Sequence, residues 1–489
     1  MTLGQWIRGT VCVLLLTPVP GESQSEAGML RSYDGRSMPA EQLRISVPER
    51  RVHPGRSITI AALRIRSTAA RPGRPIVFLM GGPGIPGSVM APIPPYFTLF
   101  QRLREIGDVV IPDQRGIGRS EPVLDCQATG APPEDALLDG SALMAASRRQ
   151  VAACAGQWRA KGDDPTAYNT IESADDIDDL RRSLGYDKID LLAFSYGTRL
   201  ALAVVARHEP HVGRMVLQGV DGPGQVVKVP VAVARKLQRI GDMLAKDPDW
   251  KGPTDLMAAA RTARSRLGGH PATVTVRGNR NSQPVRLTVG RGGFDAIAAL
   301  SLNDARLPAL LVSVAAGDDR VLARMAEATL NSVAAGTVGL MGRAVDCAAD
   351  RPAARWALAS HESEAAPFGM PIDNAVLTDD YCRGVGYTKP AVEFERPLRS
   401  GVPALLLTGT LDATNPVENA REVARGLSRA VLLDIENAPH EALPETAVQD
   451  VVFEFFRGED VQGRSIVADA PRFLSVEDAA KEARGRGGR

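Results

Sequence analysis

Three residues of reactive type lie along the chain in an order that suits nucleophilic catalysis. Ser195 stands within Ala193-Phe-Ser-Tyr-Gly197, and Asp412 and His440 follow it much later. Serine is a poor nucleophile at neutral pH and needs a histidine base that a carboxylate orients. These types in this order therefore indicate acyl transfer through a serine, provided that the fold brings the three side chains together.

The residues around Ser195 predict a nucleophile elbow, which is a sharp turn between a strand and a helix. An apolar run at 189–193 reads as a buried strand, and the stretch 198–207 that follows has helical character. Small residues two places before and after the serine let strand and helix pack closely. Ala193 stands where a glycine is usual, which is a modest steric departure.

Asp412 and His440 each follow an apolar run, at 402–408 and 430–435, and a helix at 417–427 fits between them. Because parallel strands end at one edge of a sheet, residues placed after them come together there. Further buried strands are predicted at 75–80, 108–112 and 214–218, half-exposed antiparallel strands at 43–47 and 57–65, and a helix from Ser173, its N-cap, to Leu184. Strands that alternate with helices predict an α/β fold with a mostly parallel sheet.

The pattern changes between residues 222 and 400, where the sequence is alanine-rich and helical in rhythm apart from a possible hairpin at 272–277 and 284–288. We therefore predict a core in two parts, 28–221 and 401–457, with 222–400 inserted between them as a largely helical cap. Residues 458–489 are predicted to form a loose tail.

The N-terminus and the cysteines favour export. Residues 1–27 hold one arginine, a short apolar stretch and a small, polar exit, which predicts a signal peptide; a disordered or surface-packed arm is the alternative. No later run approaches the roughly 20 apolar residues that a membrane span needs. Beyond Cys12, four cysteines allow three disulfide pairings, of which 126–154 with 347–382 is the sequence-local one, or four free thiols in a cytoplasmic protein.

The composition excludes some function classes. A formal net charge of +1, from 58 basic and 57 acidic residues, provides no electrostatic basis for binding nucleic acid. None of the four cysteines after Cys12 has the C-x-x-C spacing of a zinc or redox site. We therefore expect no metal and no cofactor, and the oligomeric state stays open.

A set of motifs in family order makes a resemblance specific. They are Gly81-Gly-Pro-Gly84, the segment from Asp113 to Ser120, the elbow, the loop from Gly409 to Pro416, and His440. Over residues 40–221 and 400–457 the chain resembles the proline iminopeptidase and tripeptidyl-aminopeptidase-like group of α/β-hydrolases, the exported tripeptidyl branch most closely. This resemblance implies an α/β-hydrolase fold and a serine hydrolase that removes residues from peptide N-termini, although some members are known chiefly as carboxylesterases.

By this resemblance Ser195 is the nucleophile, His440 the general base and then acid, and Asp412 the group that orients His440. The backbone N–H groups of Tyr196 and Gly82 are the expected oxyanion donors. Asp221 is the substitute acid. Met80 stands where iminopeptidases often have His, which leaves the backbone role intact. Asp113, Arg115 and Arg119 are expected to brace loops beside the site, and the other histidines (His53, His208, His211, His270, His361) to lie outside it.

The substrate is less determined than the chemistry. An aminopeptidase holds the substrate ammonium, normally with carboxylates on the cap, but no spacing singles out one of Asp242, Asp295, Asp304, Asp346 and Glu362. The preferred substrate is a short peptide or aminoacyl amide cut near its N-terminus. A carboxylesterase acting on small or medium acyl esters is the first alternative, and a non-catalytic binding protein on the same fold is the second.

Overall fold

The structure is a computed structural model that describes residues 24–52, 55–127, 135–277, 284–334, 337–390, 394 and 398–481. Residues 1–23 of the predicted signal peptide therefore lie outside the described residues. Residues 24–27, its last four, belong instead to a strand that pairs with residues 41–44.

The secondary structure alternates between strands and helices over the described residues. The strands are β1 Gln24–Arg31, β2 Ser37–Pro48, β3 Ser57–Ile65, β4 Ile76–Leu79, β5 Val109–Pro112, β6 Asp125–Gln127, β7 Ile189–Phe194, β8 Val212–Gln218, β9 Ala272–Arg277, β10 Pro284–Val289, β11 Thr337–Gly339, β12 Ala404–Gly409, β13 Ala430–Glu436 and β14 Ile466–Val467. The helices are α1 Gly87–Met90, α2 Pro94–Leu103, α3 Ser141–Ala160, α4 Thr170–Ser183, α5 Tyr196–His208, α6 Val231–Leu244, α7 Leu256–Gly269, α8 Arg291–Leu300, α9 Leu307–Ala315, α10 Arg320–Ala334, α11 Leu340–Ala348, α12 Ala353–Ser363, α13 Ile372–Ala375, α14 Asp379–Val385, α15 Val417–Ala424, α16 Thr446–Arg457 and α17 Val476–Lys481, with 3-10 turns at Pro165–Ala167 and Glu209–His211.

One large sheet organises the chain. Its strand order among the described residues is β1-β2-β3-β5-β4-β7-β8-β12-β13-β14. Strands from β5 to β14 in this order pair in parallel, while β1, β2 and β3 form an antiparallel edge that joins β5. The predicted α/β-hydrolase fold, with a mostly parallel sheet between helices, is confirmed.

Helices cover both faces of the sheet. Consecutive side chains of a strand point in opposite directions, so they are buried in different clusters. Phe78 of β4 packs into a cluster with α2 and α16, whereas its neighbour Leu79 packs into a second cluster with α4 and α5. Central strands such as β7 are therefore apolar at nearly every position and buried throughout.

Residues between β8 and β12 pack into separate clusters, one of which joins α12 to Val226, Val227 and Leu377. Helices α6 to α10, with the β9–β10 hairpin, surround a hydrophobic cluster of their own. Helices α11 and α14 pack instead into the cluster that covers α4 and α5. The predicted hairpin is confirmed, while the boundaries at 222 and 400 stay a prediction.

Two disulfides lie within the hydrophobic cluster that covers α4 and α5. Cys126–Cys154 joins β6 to α3, and Cys347–Cys382 joins α11 to α14. The structure thus contains the sequence-local pairing among the three that were possible, and the alternative of four free thiols is not observed. In the described part of the chain, no helix combines the length and apolar character needed to cross a bilayer.

Two local predictions differ from the structure. Helix α4 begins at Thr170, with the Asn169 side chain accepting the Glu172 N–H at 3.0 Å, so Ser173 lies inside the first turn and is not the N-cap. Asn169 followed three places later by Glu172 is itself a capping signal, and it outcompetes the serine.

The tail is not loose over residues 458–481. Ala479 of α17 is fully buried in the α6–α10 cluster. The Leu474 N–H donates to the Ala305 carbonyl at 3.1 Å, and Arg324 donates to the Ala480 carbonyl at 3.2 Å. These contacts are non-local, which is why the charged, glycine-rich sequence did not predict them.

Candidate active site

Ser195 occupies the turn between β7 and α5 in a strained conformation, with φ 55° and ψ −127°. Its N–H donates to the Gln218 carbonyl at 2.9 Å, and the Ser195 carbonyl accepts a hydrogen bond from Thr198 Oγ1 at 2.7 Å. A Cβ on Gly197 would stand 2.0 Å from the Leu79 carbonyl oxygen, so only glycine permits this close packing. Such strain persists only where the surroundings hold it, and the turn has the geometry of a nucleophile elbow.

His440 connects Ser195 to Asp412. Its Nε2 lies 2.9 Å from Ser195 Oγ, and its Nδ1 lies 2.7 Å from Asp412 Oδ2. The Asp412 side chain is fully buried, and its Oδ1 accepts the N–H groups of Thr414 and Asn415, each at 2.8 Å. In this arrangement the imidazole can take the hydroxyl proton while the carboxylate stabilises the imidazolium that forms.

The carboxyl end of β8 holds the histidine loop in place. Gln218 is fully buried, and its Nε2 donates to the His440 carbonyl at 2.7 Å. The next residue, Gly219, has φ +63°, and a Cβ there would stand 3.0 Å from His440 Cε1. Gln218 was not predicted from the sequence, although it is a polar side chain directly after the apolar residues 215–217 of β8.

Asp221, the substitute acid, has a different partner. Lys228 Nζ donates to Asp221 Oδ1 at 3.1 Å and to Asn415 Oδ1 at 2.7 Å. Burial raises the pKa of Asp221, but Lys228 and Arg199 outweigh it and hold that pKa below the usual range. Asn415 Nδ2 also donates to the Gly219 carbonyl at 2.8 Å, so these residues join the Asp412 loop to the end of β8.

A cavity of about 290 Å³ opens at Ser195 and His440, and we call it the catalytic cavity. Gly82 and Tyr196 line it beside Ser195, where oxyanion donors would have to be. Apart from Thr414, its other lining residues are apolar or charged: Pro83, Ile85, Phe194, Val226, Val376, Leu377, Asp221, Lys228, Arg343, Asp346 and Asp373. Charged groups therefore face the substrate space directly.

A family model described as the alpha/beta hydrolase fold matches residues 74–447, most of the chain. The chain belongs to the α/β-hydrolase fold family. The match begins just before β4 and ends in α16, so Ser195, Asp412 and His440 all lie within it.

Curated relatives of this α/β-hydrolase chain include peptidases by name. It is 29% identical to serine protease Hip1 of Mycobacterium tuberculosis over 223 residues, which are 44% of this chain and 40% of that protein. It is 29% identical to tripeptidyl aminopeptidase of Streptomyces coelicolor over 178 residues, 35% of this chain and 33% of that one. The alignments thus span about a third to two fifths of those relatives' length.

Among solved structures, proline iminopeptidase of Mycobacterium smegmatis aligns over 85% of this chain and 97% of its own, at 14% identity and a TM-score of 0.38.

Of the five acidic residues considered for the substrate ammonium, Asp346 lines the catalytic cavity. The other four are also among the described residues. Asp242 is exposed, Asp295 pairs with Arg264, Asp304 pairs with Arg306, and Glu362 accepts the Val231 N–H. Asp373, which the sequence analysis did not single out, joins Asp346 in the cavity.

Asp346 has a poorly compensated charge. Arg199 and Arg343 lie 3.9 and 4.0 Å from its oxygens, farther than a hydrogen bond. Burial raises the pKa of Asp346 to about 6, and the negative charges of Asp373 and Asp221 add to the effect against the pull of the two arginines. A cation entering the cavity would relieve this cost.

The remaining candidates lie where structural roles were expected. Asp113 accepts from the Ser88 and Arg119 N–H groups, both at 2.9 Å. Arg115 is fully buried against Asp176, whereas the Arg119 side chain is exposed.

The other histidines within the described residues do not line the catalytic cavity. His208 Nε2 lies 2.8 Å from Asp175, and His211 Nδ1 lies 3.0 Å from the Asp187 carbonyl. His270 and His361 are exposed, and His53 lies outside the described residues. Over the residues that the structure describes, no three His, Cys, Asp or Glu side chains gather as metal ligands would.

Proposed function

We propose that this chain is a serine hydrolase that releases N-terminal residues or short peptides from peptide substrates through an acyl-enzyme intermediate. One observation carries the proposal: the hydrogen-bonded chain from Ser195 through His440 to Asp412 opens on a cavity that contains the carboxylates Asp346 and Asp373. The peptidase names of the curated relatives support the same class.

In the proposed reaction, Ser195 Oγ attacks the carbonyl carbon while His440 Nε2 takes its proton. The N–H groups of Gly82 and Tyr196 receive the oxyanion. His440 then gives the proton to the leaving amine, and a water molecule, activated by the same imidazole, hydrolyses the ester on Ser195. Asp412 keeps the Nδ1 proton on the far side of the ring throughout.

Asp346 is proposed to hold the substrate ammonium. A charge-assisted hydrogen bond to a buried carboxylate stabilises binding by about 1.5–3 kcal/mol, or roughly 10- to 100-fold in affinity. Asp346 suits this role because no group of the protein within hydrogen-bond distance compensates its charge in the described structure. An ester without an amine would gain nothing from it.

The test compares Ala-Ala-Pro-p-nitroanilide, its N-acetylated form and p-nitrophenyl butyrate. We expect cleavage of the free-amine anilide to depend on Ser195, to be lost on acetylation, and to show a KM about 10- to 100-fold higher in Asp346→Asn. Asp242→Asn, an exposed aspartate on α6, is the matched control and should leave KM unchanged.

Other outcomes identify the alternatives. Ester cleavage without anilide turnover would replace the peptidase by a carboxylesterase. Failure of Ser195 to react with a fluorophosphonate probe would indicate a non-catalytic binding protein.

We also propose that the chain acts after export, in the periplasm or outside the cell. The two disulfides support this location, because such bonds persist in oxidising compartments. Electrophoretic mobility of the protein taken from each cell fraction, with and without reductant, would test it.

A further inference from the structure

A second cavity of about 220 Å³ adjoins the catalytic cavity. Lys228, Asp373 and Thr414 line both spaces, so a bound molecule can reach from one into the other. We call this second space the side cavity. It lies between the start of α6, the end of α8, the loop after α12 and the loop that carries Asp412.

Beyond its junction with the catalytic cavity, the side cavity is mostly apolar, and Asn303 is a polar exception in its lining. Most of its wall is formed by aliphatic, proline and aromatic side chains, among them Val229, Pro230, Val233, Leu300, Leu302 and Phe368. Leu300 is 61% exposed although it closes helix α8 beside this space. An apolar wall that exposes a leucine to solvent gains free energy when an apolar ligand covers it.

The position of the side cavity indicates which part of the substrate reaches it. Ala413 and Thr414, which directly follow Asp412, border the side cavity. Asp346, the proposed ammonium partner, lies instead near Arg199 of the elbow helix α5. Because His440 hands its proton to the departing amine, the segment after the scissile bond leaves on the side of the histidine and acid loops.

We infer that the side cavity binds an apolar side chain of the peptide segment that follows the scissile bond. The inference rests on the proposed function and deepens it, since it adds a preference on the leaving side to ammonium recognition on the acyl side. The junction residues Lys228 and Asp373 are charged, so they suit the polar peptide backbone, while the wall beyond them suits leucine or phenylalanine and disfavours a charged side chain.

The experiment measures kcat/KM for Ala-Ala-Pro-X-amide with X as Gly, Ala, Leu or Phe. The release of the free amine of X-amide is used to monitor the reaction. Burying a leucine side chain predicts a preference for Leu over Gly of about ten-fold or more. The variant Leu300→Trp places a large ring at the cavity wall, and it should bring the Leu-to-Gly ratio close to one. Leu358→Trp changes another half-exposed leucine, on α12 and outside both linings, and should keep the wild-type ratio.

Two outcomes would overturn the inference. One is a Leu-to-Gly ratio near one in the wild-type enzyme, and the other is a ratio that is equally high in Leu300→Trp and Leu358→Trp. A parallel series of butyrate esters with ethyl, butyl and hexyl alcohols separates this failure from that of the proposed function. If no peptide amide is cleaved but hexyl butyrate is preferred over ethyl butyrate, and Leu300→Trp removes that preference, the peptidase is rejected. The side cavity is then retained as a leaving-group site.

Discussion

The reacting groups and the substrate-facing groups are held by two different kinds of structure. Ser195, Asp412 and His440 follow β7, β12 and β13 of one sheet whose faces are both packed, and each is held by backbone or side-chain hydrogen bonds. Much of the wall of both cavities comes from residues between β8 and β12, where the packing is divided into separate clusters, while Gly82, Pro83 and Ile85 follow β4. In the proposed function, the sheet thus places the reacting groups, and elements added to it supply much of the substrate selectivity.

The substrate-facing residues differ among themselves in the same way. Asp346 lies on α11, which packs into the sheet's own hydrophobic cluster and carries a disulfide to α14. Leu300 is the last residue of α8, a helix that packs into the cluster formed by α6 to α10. A charged anchor requires a fixed position because hydrogen-bond energy falls steeply with geometry. An apolar contact tolerates movement, since burial is non-directional.

Asp412→Asn should break the sheet side of this comparison most severely. An amide cannot hold His440 in the tautomer that accepts the serine proton, and we expect kcat to fall about 10⁴-fold. Asp221→Asn is the matched control, because Asp221 pairs with Lys228, and its kcat should fall less than ten-fold. Steady-state kinetics on p-nitrophenyl butyrate measure both; equal losses would contradict the assignment of Asp412.

Removal of the Cys347–Cys382 disulfide should sharpen the difference between anchor and wall. The loop of 35 residues that it closes corresponds to about 4 kcal/mol of unfolding free energy in the loop-entropy model. Because Asp346 precedes Cys347, the double alanine variant should also raise KM for the free-amine anilide.

The Cys126→Ala/Cys154→Ala variant is the control for this effect. It should lose about the same stability, since its loop of 28 residues is similar in length, with a smaller change in KM. Chemical denaturation and anilide kinetics measure the two quantities. An identical KM in both double variants would show that the disulfide does not position Asp346.

The pH dependence of ammonium recognition tests the electrostatics of Asp346. Its pKa is raised to about 6 by burial, so the carboxylate is formed only as pH rises through that value, and 1/KM for the free-amine anilide should rise with it. Above about pH 8 the α-amino group loses its proton, and 1/KM should fall. Asp346→Asn should flatten the acid limb; persistence of that limb in the variant would assign it to another group.

Among these variants, Gln218→Met should have the smallest effect on catalysis, and it tests a residue of the sheet. It removes the donor to the His440 carbonyl while keeping the side-chain volume, so kcat should fall about ten-fold for ester and anilide alike, with KM unchanged. Gln449→Met, which removes another buried glutamine with bonds to backbone carbonyls, should lower stability without this loss of kcat. A similar kcat in the two variants would reduce Gln218 to a structural residue.

Local patterns predicted the sheet well and the attached elements poorly. Strands β7, β8, β12 and β13 contain apolar runs of the right length, and strands consecutive in the sequence tend to lie side by side in a sheet. The cap of α4 was assigned wrongly, because Ser173 and Asn169 are both good caps and only packing decides between them. The ordered helix α17 was not predicted, because its stability comes from packing against helices that lie more than a hundred residues earlier in the sequence.

The sequence by itself determined the fold class and the identities of Ser195, Asp412 and His440 as a connected set, because residues placed after parallel strands must meet at one edge of the sheet. Only the tertiary structure decided that Asp346 and Asp373 line the space beside Ser195, that Gln218 holds the histidine loop, and which cysteines pair. The physical reason is the range of the interactions. Hydrophobic periodicity and strand order are written in neighbouring residues, whereas the walls of a cavity are assembled from segments whose mutual distances no local pattern encodes.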